Sequence, residues 1–504
     1  MQYEKIQTLG DLKKAGYTSK SIKQELRDNL LKAIRENKPV FEGILGYDHT
    51  VIPDVERAIL SKHNILFLGL RGQAKTKMAR MMVQLLDEYV PIIAGSEVND
   101  DPLNPISYFG KKQIETLQDD TPISWLHRSE RMGEKLATPD VSVADLIGDL
   151  DPIKAANLRL SYADERVIHY GIIPRFNRCI FIINELPDLQ ARIQVALFNI
   201  LQENDIQIRG FKWRFHLDME FVFTANPEDY TNRGSIVSPL KDRIESQILT
   251  HYPTTVAISK KITAQEADTA AQLKTVQVSS LCQDLVEQIA VEARQSEFVD
   301  QKSGVSARMT IAAFETVCSS AELRALKNQQ QKTFVRLVDF ANIHAAITGK
   351  VELVYEGELE GPKQVAENLL ARATKSLFLQ YFPHTEKGKK QKQKQPSVYE
   401  GIRAWFEKGN FIEIMDTQTD QDYRKSLEKV PGLKELVLEY LPNLSKDEVH
   451  VGMELVLHGL AASSVLGKFS LHEGVQFGDV MMEMLRNTSG EDDGLPDLKD
   501  LFGG

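Results

Sequence analysis

Short apolar runs alternate with stretches of helical spacing over residues 64–250, and this alternation predicts the fold of the first half of the chain. Strands of parallel sheets are near-continuous apolar runs, whereas the helices that cover them carry apolar residues on one face. A regular succession of the two predicts an α/β domain with a doubly wound, largely parallel sheet and helices on both faces. The runs with the length and composition of such strands are 64–68, 90–94, 180–183 and 221–225.

The remaining segments have other patterns. A segment at 96–176 is too long for an ordinary loop, so we expect it to carry function or elements of its own. Apolar positions at helical spacing after residue 255 predict helices, and a Lys-rich stretch at 387–396 has the composition of a linker. We therefore predict six parts: a helical lead-in at 1–45, the α/β domain at 46–254, a helical domain at 255–350, a helix and linker at 351–396, a helical C-terminal domain at 397–490 and a disordered tail at 491–504.

Composition narrows the classes of protein that fit this pattern. The net charge of −10 opposes a broad nucleic-acid surface, so we expect no nucleic-acid partner. Three widely separated cysteines form neither a metal-ligand spacing nor a disulfide framework, which favours a reducing, cytoplasmic environment. The N-terminus does not resemble a signal peptide, and the apolar stretch 455–466 is too short to span a bilayer. We expect a soluble protein without membrane insertion.

A glycine-containing turn follows the first predicted strand and precedes a segment of helical spacing. It reads Gly69-Leu-Arg-Gly-Gln-Ala-Lys75-Thr76. This order is the one a phosphate-binding loop requires, because the backbone N–H groups of such a turn face the phosphates. Lys75 would reach the β- and γ-phosphate oxygens of a nucleotide, and the Thr76 hydroxyl would bind Mg²⁺. An unrelated glycine turn is the alternative. The predicted nucleotide contacts in this loop are Gly69, Gly72, Gln73, Ala74, Lys75, Thr76 and Lys77.

Polar residues also follow the third and fourth predicted strands. Asn184 and Glu185 end one strand and Asn226 ends the next, and ligands of doubly wound sheets bind at that edge. Glu185 is the candidate general base, Asn226 the candidate residue to orient the attacking water, and Asn184 the candidate for the Mg²⁺ shell. Because an amide carries no charge, Asn184 should support Mg²⁺ less strongly than Asp would. Taken singly, each could be an ordinary strand-end or turn residue.

Two arginines complete the candidate site. Arg243 follows the fourth predicted strand and could stabilise transition-state charge in the site of a neighbouring subunit. Arg308 lies at the start of a predicted helix and could let the helical domain sense the γ-phosphate. The alternatives are a surface salt bridge for Arg243 and plain helix surface for Arg308. The order of all these motifs along the chain weakens the alternatives jointly.

Over about residues 40–350 the chain resembles AAA+ ATPases of the MoxR and magnesium-chelatase I-subunit branch. Phosphate loops of the MoxR type often read G-x-P-G-x-A-K-T, so Ala74 looks like a feature of that branch. The stretch 184–189 is similar to a Walker B motif, and 163–174 and 202–214 are similar to the helix-2 insert and the pre-sensor-1 hairpin. By the same resemblance Asn226 matches sensor 1, Arg243 the arginine finger and Arg308 sensor 2.

The resemblance implies an ATPase that uses ATP and Mg²⁺ and forms a nucleotide-dependent homo-oligomeric ring, which we expect to be a hexamer. It also implies chaperone-like remodelling of a partner protein that carries a von Willebrand A domain. Two alternatives stay open: a nucleotide-gated assembly scaffold with weak turnover, because Asn184 replaces the usual Asp, and the motor subunit of a magnesium-chelatase-like complex. Helicase action is disfavoured by the acidity of the chain, although Arg209, Lys212 and Arg214 give the predicted hairpin a basic face.

Overall fold

The computed structural model describes residues 5–161, 164–208, 214–227, 234–385, 398–471 and 473–480. The chain divides into two compact units, Met1–Tyr252 and Pro253–Gly504. In the first unit the helices are Leu9–Lys14, Ile22–Arg35, Val51–Leu60, Lys75–Met81, Tyr108–Leu117, Val143–Leu146, Pro152–Leu158, Ile172–Arg175, Ala191–Ala196, Phe198–Glu203 and Ser238–Asp242. Its strands are Ile65–Leu68, Tyr89–Ile93, Ile123–His127, Met132–Leu136, Gly148–Leu150, Ile168–Tyr170, Cys179–Asn184, Asp205–Ile206, Phe215–His216, Met219–Ala225 and Ser246–Leu249.

Five of these strands form one sheet, in which every neighbouring pair is parallel. This confirms the predicted α/β class with a parallel sheet. Because all the strands run in the same direction, their carboxyl ends meet at one edge of the sheet. The order across the sheet is Ser246–Leu249, Ile65–Leu68, Met219–Ala225, Cys179–Asn184 and Met132–Leu136.

Both faces of this sheet are covered, as the apolar runs predict. Side chains of successive strand residues point to opposite faces. Ile65 and Phe67 belong to a buried cluster with the helices Ile22–Arg35 and Val51–Leu60. Leu66 belongs to a separate buried cluster on the opposite face. The sheet is therefore the middle layer of three.

One predicted strand of the sheet is wrong. The run at 90–94 does form a strand, Tyr89–Ile93, but that strand pairs antiparallel with Ile123–His127 outside the main sheet. Its Pro91 lacks a backbone N–H and so cannot complete the ladder of a central strand. The sheet instead recruits two edge strands that the sequence analysis missed, Met132–Leu136 and Ser246–Leu249. Edge strands need no continuous apolar run, because neighbours flank them on one side only.

The second unit is built around one continuous apolar core that runs from Val276 to Phe477. Its three-stranded antiparallel sheet, Ile412–Met415, Gly474–Gly478 and Gly467–Leu471, was not predicted from the sequence. A two-stranded sheet joins Val276–Gln277 to Thr333–Phe334. The helices are Val256–Glu266, Ser280–Gln295, Ala307–Lys327, His344–Thr348, Tyr355–Glu360, Pro362–Tyr381, Glu400–Glu407, Asp420–Glu428, Leu433–Tyr440 and Lys446–Ala462.

Within the described ranges, no helix has both the length and the apolar character that crossing a bilayer requires.

Candidate functional site

The turn after Ile65–Leu68 is held in place by hydrogen bonds from outside the loop. Thr250 donates to Oε1 of Gln73 at 2.7 Å, and the buried Tyr47 donates to the Gln73 carbonyl at 3.0 Å. Burial raises the pKa of Tyr47 to about 12, so this hydroxyl stays protonated and remains a donor. A Cβ at Gly69 would collide with the side chains of Thr250 and Gln73, so this position requires glycine. The side chain of Gln73 therefore shapes the loop, and we expect its backbone amide to be the group that faces a phosphate.

Ala74 has a left-handed backbone conformation, with φ 57° and ψ 15°, directly before the helix Lys75–Met81. This region favours glycine, and a residue with a Cβ pays roughly 1–2 kcal/mol to occupy it. A glycine, usual at the position before the lysine of a phosphate loop, would adopt this conformation without that cost. Gly72 also has a positive φ, 72°.

Lys75 is buried, and its ammonium group is turned back over the loop. Nζ donates to the carbonyl of Gly69, to the carbonyl of Leu70 at 2.8 Å and to Oδ1 of Asn226 at 2.7 Å. Asn226 follows the strand Met219–Ala225, which lies next to Ile65–Leu68 in the sheet. The parallel pairing of these two strands thus brings together a lysine and an amide that lie far apart in the sequence.

Asn184 is the point at which three side chains meet. Its Oδ1 accepts hydrogen bonds from Oγ1 of Thr76 and from Oγ1 of Thr224, both at 3.0 Å. Its Nδ2 donates to Oε1 of Glu134 at 2.7 Å. The amide is buried, and both of its ends are engaged. The structure thus brings together Thr76 and Asn184, the two residues of the predicted Mg²⁺ shell.

Glu185 follows Asn184 and adopts a left-handed conformation with φ 55° and ψ 49°. Its backbone N–H donates to Oγ1 of Thr224 at 3.3 Å, and its Oε2 accepts from Nδ2 of Asn226 at 2.7 Å. A non-glycine residue in this conformation stores about 1–3 kcal/mol of strain, and such strain concentrates at functional sites. Asn226 thus bridges Lys75 and Glu185 directly.

The two arginines belong to different units of the chain. The guanidinium of Arg243 donates to Oε1 of Gln202 at 3.0 Å and to the carbonyl of Pro239 at 2.8 Å, and it lies 4.9 Å from the ring centre of Phe198. Arg308 belongs to the second unit, near the start of Ala307–Lys327, where it is exposed. Lys77 is exposed on Lys75–Met81. Their predicted contacts with nucleotide stay predictions.

The predicted hairpin contains three basic residues. Two of them, Arg209 and Lys212, lie outside the described residues. Arg214 is exposed and donates to Oδ2 of Asp205 at 3.3 Å, which is an ordinary surface pairing across the strands Asp205–Ile206 and Phe215–His216.

Sequence reasoning missed three residues of the site. Thr224 connects Asn184 with the backbone of Glu185, and its place near the end of the strand that Asn226 follows could have revealed it. Glu134 lies on the edge strand Met132–Leu136, and its carboxylate accepts hydrogen bonds from Nε and Nη2 of Arg80 at 2.8 and 2.7 Å. The hydrogen bond from Arg80 holds the pKa of Glu134 below its usual range. No local pattern marks Glu134 or Arg80.

No protein-family model matches the sequence, and no curated protein matches it. Solved structures with a related chain trace include a Cytophaga hutchinsonii protein described as an ATPase, at 17% identity and a TM-score of 0.29, over 71% of this chain and 97% of that one. NtrX from Brucella abortus in complex with ATP matches at 13% identity and a TM-score of 0.32, over 57% of this chain and 52% of NtrX. The Thermotoga maritima RuvB Holliday junction branch migration motor matches at 12% identity and a TM-score of 0.31, over 71% and 74%. At such low identities and TM-scores, we base the function on the geometry of the site itself.

Proposed function

We propose that the first unit binds ATP with Mg²⁺ and hydrolyses it, and that the protein is an AAA+ ATPase. The observation that carries this proposal is the meeting of Lys75, Thr76, Asn184, Glu185 and Asn226 at the carboxyl edge of three neighbouring parallel strands. That edge is where doubly wound sheets bind their ligands. A lysine, a hydroxyl, a carboxylate and two amides are the groups that phosphoryl transfer uses for positioning and electrostatic stabilisation.

The oxygen atoms present fit Mg²⁺. This ion takes one or two protein oxygens and completes its shell with water and phosphate oxygens. The Thr76 hydroxyl and Oδ1 of Asn184 are such oxygens and lie 3.0 Å apart. When bound, the ion would neutralise the charge that develops on the phosphate oxygens.

The other residues have separable roles. Lys75 would exchange its bonds to the loop carbonyls for bonds to the phosphates. Glu185 would accept the proton of the attacking water, and its hydrogen bond from Asn226 holds the carboxylate in one orientation. Because Asn226 also contacts Lys75, the lysine and the base are coupled through a single amide.

The test is equilibrium binding of a fluorescent ATP analogue in the presence of Mg²⁺. Lys75→Ala should weaken binding by about 100-fold, since a charge-assisted contact is worth up to about 3 kcal/mol. Lys32→Ala removes an exposed lysine from the same unit and serves as the matched control. Equal affinity of the Lys75→Ala variant and the wild type would overturn the proposed site.

The finer part of the proposal follows from the resemblance to MoxR-type ATPases. We propose a homo-oligomeric ring, a hexamer, in which Arg243 acts in a neighbouring site and turnover remodels a partner with a von Willebrand A domain. The partial exposure of Arg243 supports this role, because a neighbouring subunit could reach its guanidinium in exchange for the present bonds to Gln202 and Pro239. Sedimentation with and without ATP tests the ring. A protein that stays monomeric in both would contradict it.

A second function, the nucleotide-gated scaffold, is favoured by the missing carboxylate at Asn184. Steady-state phosphate release separates the two. Measurable turnover by the wild type supports the motor. Negligible turnover that Asn184→Asp restores supports the scaffold.

A further inference from the structure

The hydrogen bonds around Asn184 continue beyond the residues expected to touch the nucleotide. Arg80, on the helix Lys75–Met81, donates hydrogen bonds from two nitrogens to the carboxylate of Glu134. The same carboxylate accepts a hydrogen bond from Nδ2 of Asn184. The chain of contacts then reaches Thr76 and, through Thr224, the backbone of Glu185. A surface ion pair is therefore connected to the candidate base and to the candidate metal site.

This connection decides which way the amide of Asn184 points. An amide presents an acceptor at one end and donors at the other, and the surrounding hydrogen bonds select its orientation. An ionised carboxylate can only accept, and the contact of Nε and Nη2 of Arg80 with the two oxygens of Glu134 is the geometry of a guanidinium–carboxylate ion pair. Only Nδ2 can face Glu134, so Oδ1 must face the hydroxyls of Thr76 and Thr224. In a flipped amide, Oδ1 of Asn184 would lie against a carboxylate oxygen of Glu134, and both atoms are acceptors. The NH₂ group would then point towards Thr76 and the candidate metal site.

We propose that Glu134, clamped by Arg80, is a positioning residue that fixes the carbonyl oxygen of Asn184 towards Thr76. The proposal rests on the function proposed above, because the metal bound with ATP is what makes the orientation matter. It also gives a reason why an uncharged residue can occupy this position. An aspartate has an oxygen at both ends and needs no such orientation, whereas an asparagine needs a partner that selects one.

The same geometry predicts that Glu134 and Asn184 form a matched pair. With Asp at position 184, the carboxylate of Glu134 would face a second carboxylate across a distance that is now 2.7 Å. Two like charges at hydrogen-bond distance oppose each other unless one takes up a proton. Glu134 should therefore help the site when residue 184 is Asn and hinder it when residue 184 is Asp.

A double-mutant cycle tests this reversal. The four proteins are the wild type, Glu134→Ala, Asn184→Asp and the double variant, and the measurement is the Mg²⁺ concentration that gives half-maximal retention of a fluorescent ATP analogue. Glu134→Ala alone should raise that concentration about 10-fold, the size expected for an outer-shell partner of a metal ligand. In the Asn184→Asp background the same change should leave it unaltered or lower it. Glu134→Gln retains an acceptor for the amide and should fall between the wild type and Glu134→Ala.

Two controls separate positioning from general damage. Thermal melts of each variant show whether it folds, and Asp164→Asn breaks the partly exposed Arg166–Asp164 pair of the same unit without touching the site. An equal weakening by Glu134→Ala in both backgrounds, or no weakening in the wild-type background, would overturn the positioning role while ATP binding stands. Failure of the wild type to bind the analogue in a Lys75-dependent way would overturn the proposed function, and the positioning role with it.

Discussion

The two ends of the central sheet carry the same kinds of polar side chains in different arrangements. At the amino end, Arg131 binds both oxygens of Glu25 at 2.6 and 2.8 Å, and Arg178 donates to the carbonyl of Pro91 at 2.6 Å. These bonds tie the helix Ile22–Arg35 and the strand Tyr89–Ile93 to the sheet. At this end the partners are other parts of the fold, so the charges serve the architecture.

At the carboxyl end, the network of hydrogen-bonded polar side chains leads to a loop that can face a ligand. It begins at the Arg80–Glu134 pair, in which the arginine side chain is 56% exposed, whereas that of Arg131 is 1% exposed. It ends at Lys75 and at the strained Glu185. The difference teaches that residue type alone does not mark a site. What marks it is a polar network that ends at the amine of a loop lysine and at a carboxylate whose residue has a left-handed backbone conformation.

The largest expected effect belongs to the carboxyl end. Glu185→Gln should bind the ATP analogue as the wild type does, because shape and hydrogen bonding are retained. Its phosphate release should fall by about 10²–10⁴-fold, the usual contribution of a general base. Coupled assays measure phosphate release by the wild type, by Glu185→Gln and by the control Glu130→Gln, which changes an exposed glutamate of the same unit. Turnover at the parental rate would remove Glu185 from the role of base.

At the amino end the largest effect should be on stability. Glu25→Ala leaves the buried guanidinium of Arg131 without its carboxylate and should lower the free energy of unfolding by about 3–5 kcal/mol. Urea denaturation measures this loss. The double variant Glu25→Leu, Arg131→Met removes both charges and should recover most of it. A Glu25→Ala variant as stable as the wild type would show that the Arg131–Glu25 pair does not stabilise the fold.

The pH dependence of stability should also come from the amino end. Glu220 is buried, one of its carboxyl oxygens has no hydrogen-bond partner among the residues that the structure describes, and burial raises its pKa from 4.5 to about 8. Between these values the folded state keeps a proton that the unfolded chain releases, so stability falls as the pH rises through this window. Glu220→Gln should therefore stabilise the protein by roughly 2–4 kcal/mol near pH 9 and hardly at all near pH 4.5. Melting curves of the wild type and the variant at the two pH values test this prediction. An equal difference in stability at both pH values would exclude the titration of Glu220 as its cause.

The sequence predicts those parts of the site that depend on local order. A strand, a turn and a helix in succession locate Lys75 and Thr76, and strand ends locate Asn184, Glu185 and Asn226. Glu134 could not be found in this way, because it lies 50 residues from Asn184 and on an edge strand without an apolar run. The strand Tyr89–Ile93 was assigned to the wrong sheet for a related reason: an apolar run predicts a strand but does not name its partner.

The smallest expected effect tests how much the site depends on strain in its loop. Ala74→Gly relieves the left-handed conformation, φ 57°, of the residue before Lys75, a gain of roughly 1 kcal/mol. Glycine also makes the unfolded chain more flexible, which costs about 0.4–1 kcal/mol, so the net change in the free energy of unfolding should stay within ~0.5 kcal/mol. Ala74→Val should destabilise the protein by more than about 1 kcal/mol, because a β-branched residue tolerates this conformation poorly. Urea denaturation and binding of the ATP analogue are measured together. The methyl group of Ala74 packs against the neighbouring apolar core. If Ala74→Gly weakened binding as strongly as Lys75→Ala, this methyl group would be what holds the loop in place. The carboxyl end of the sheet would then depend on apolar packing, as the amino end depends on ion pairs.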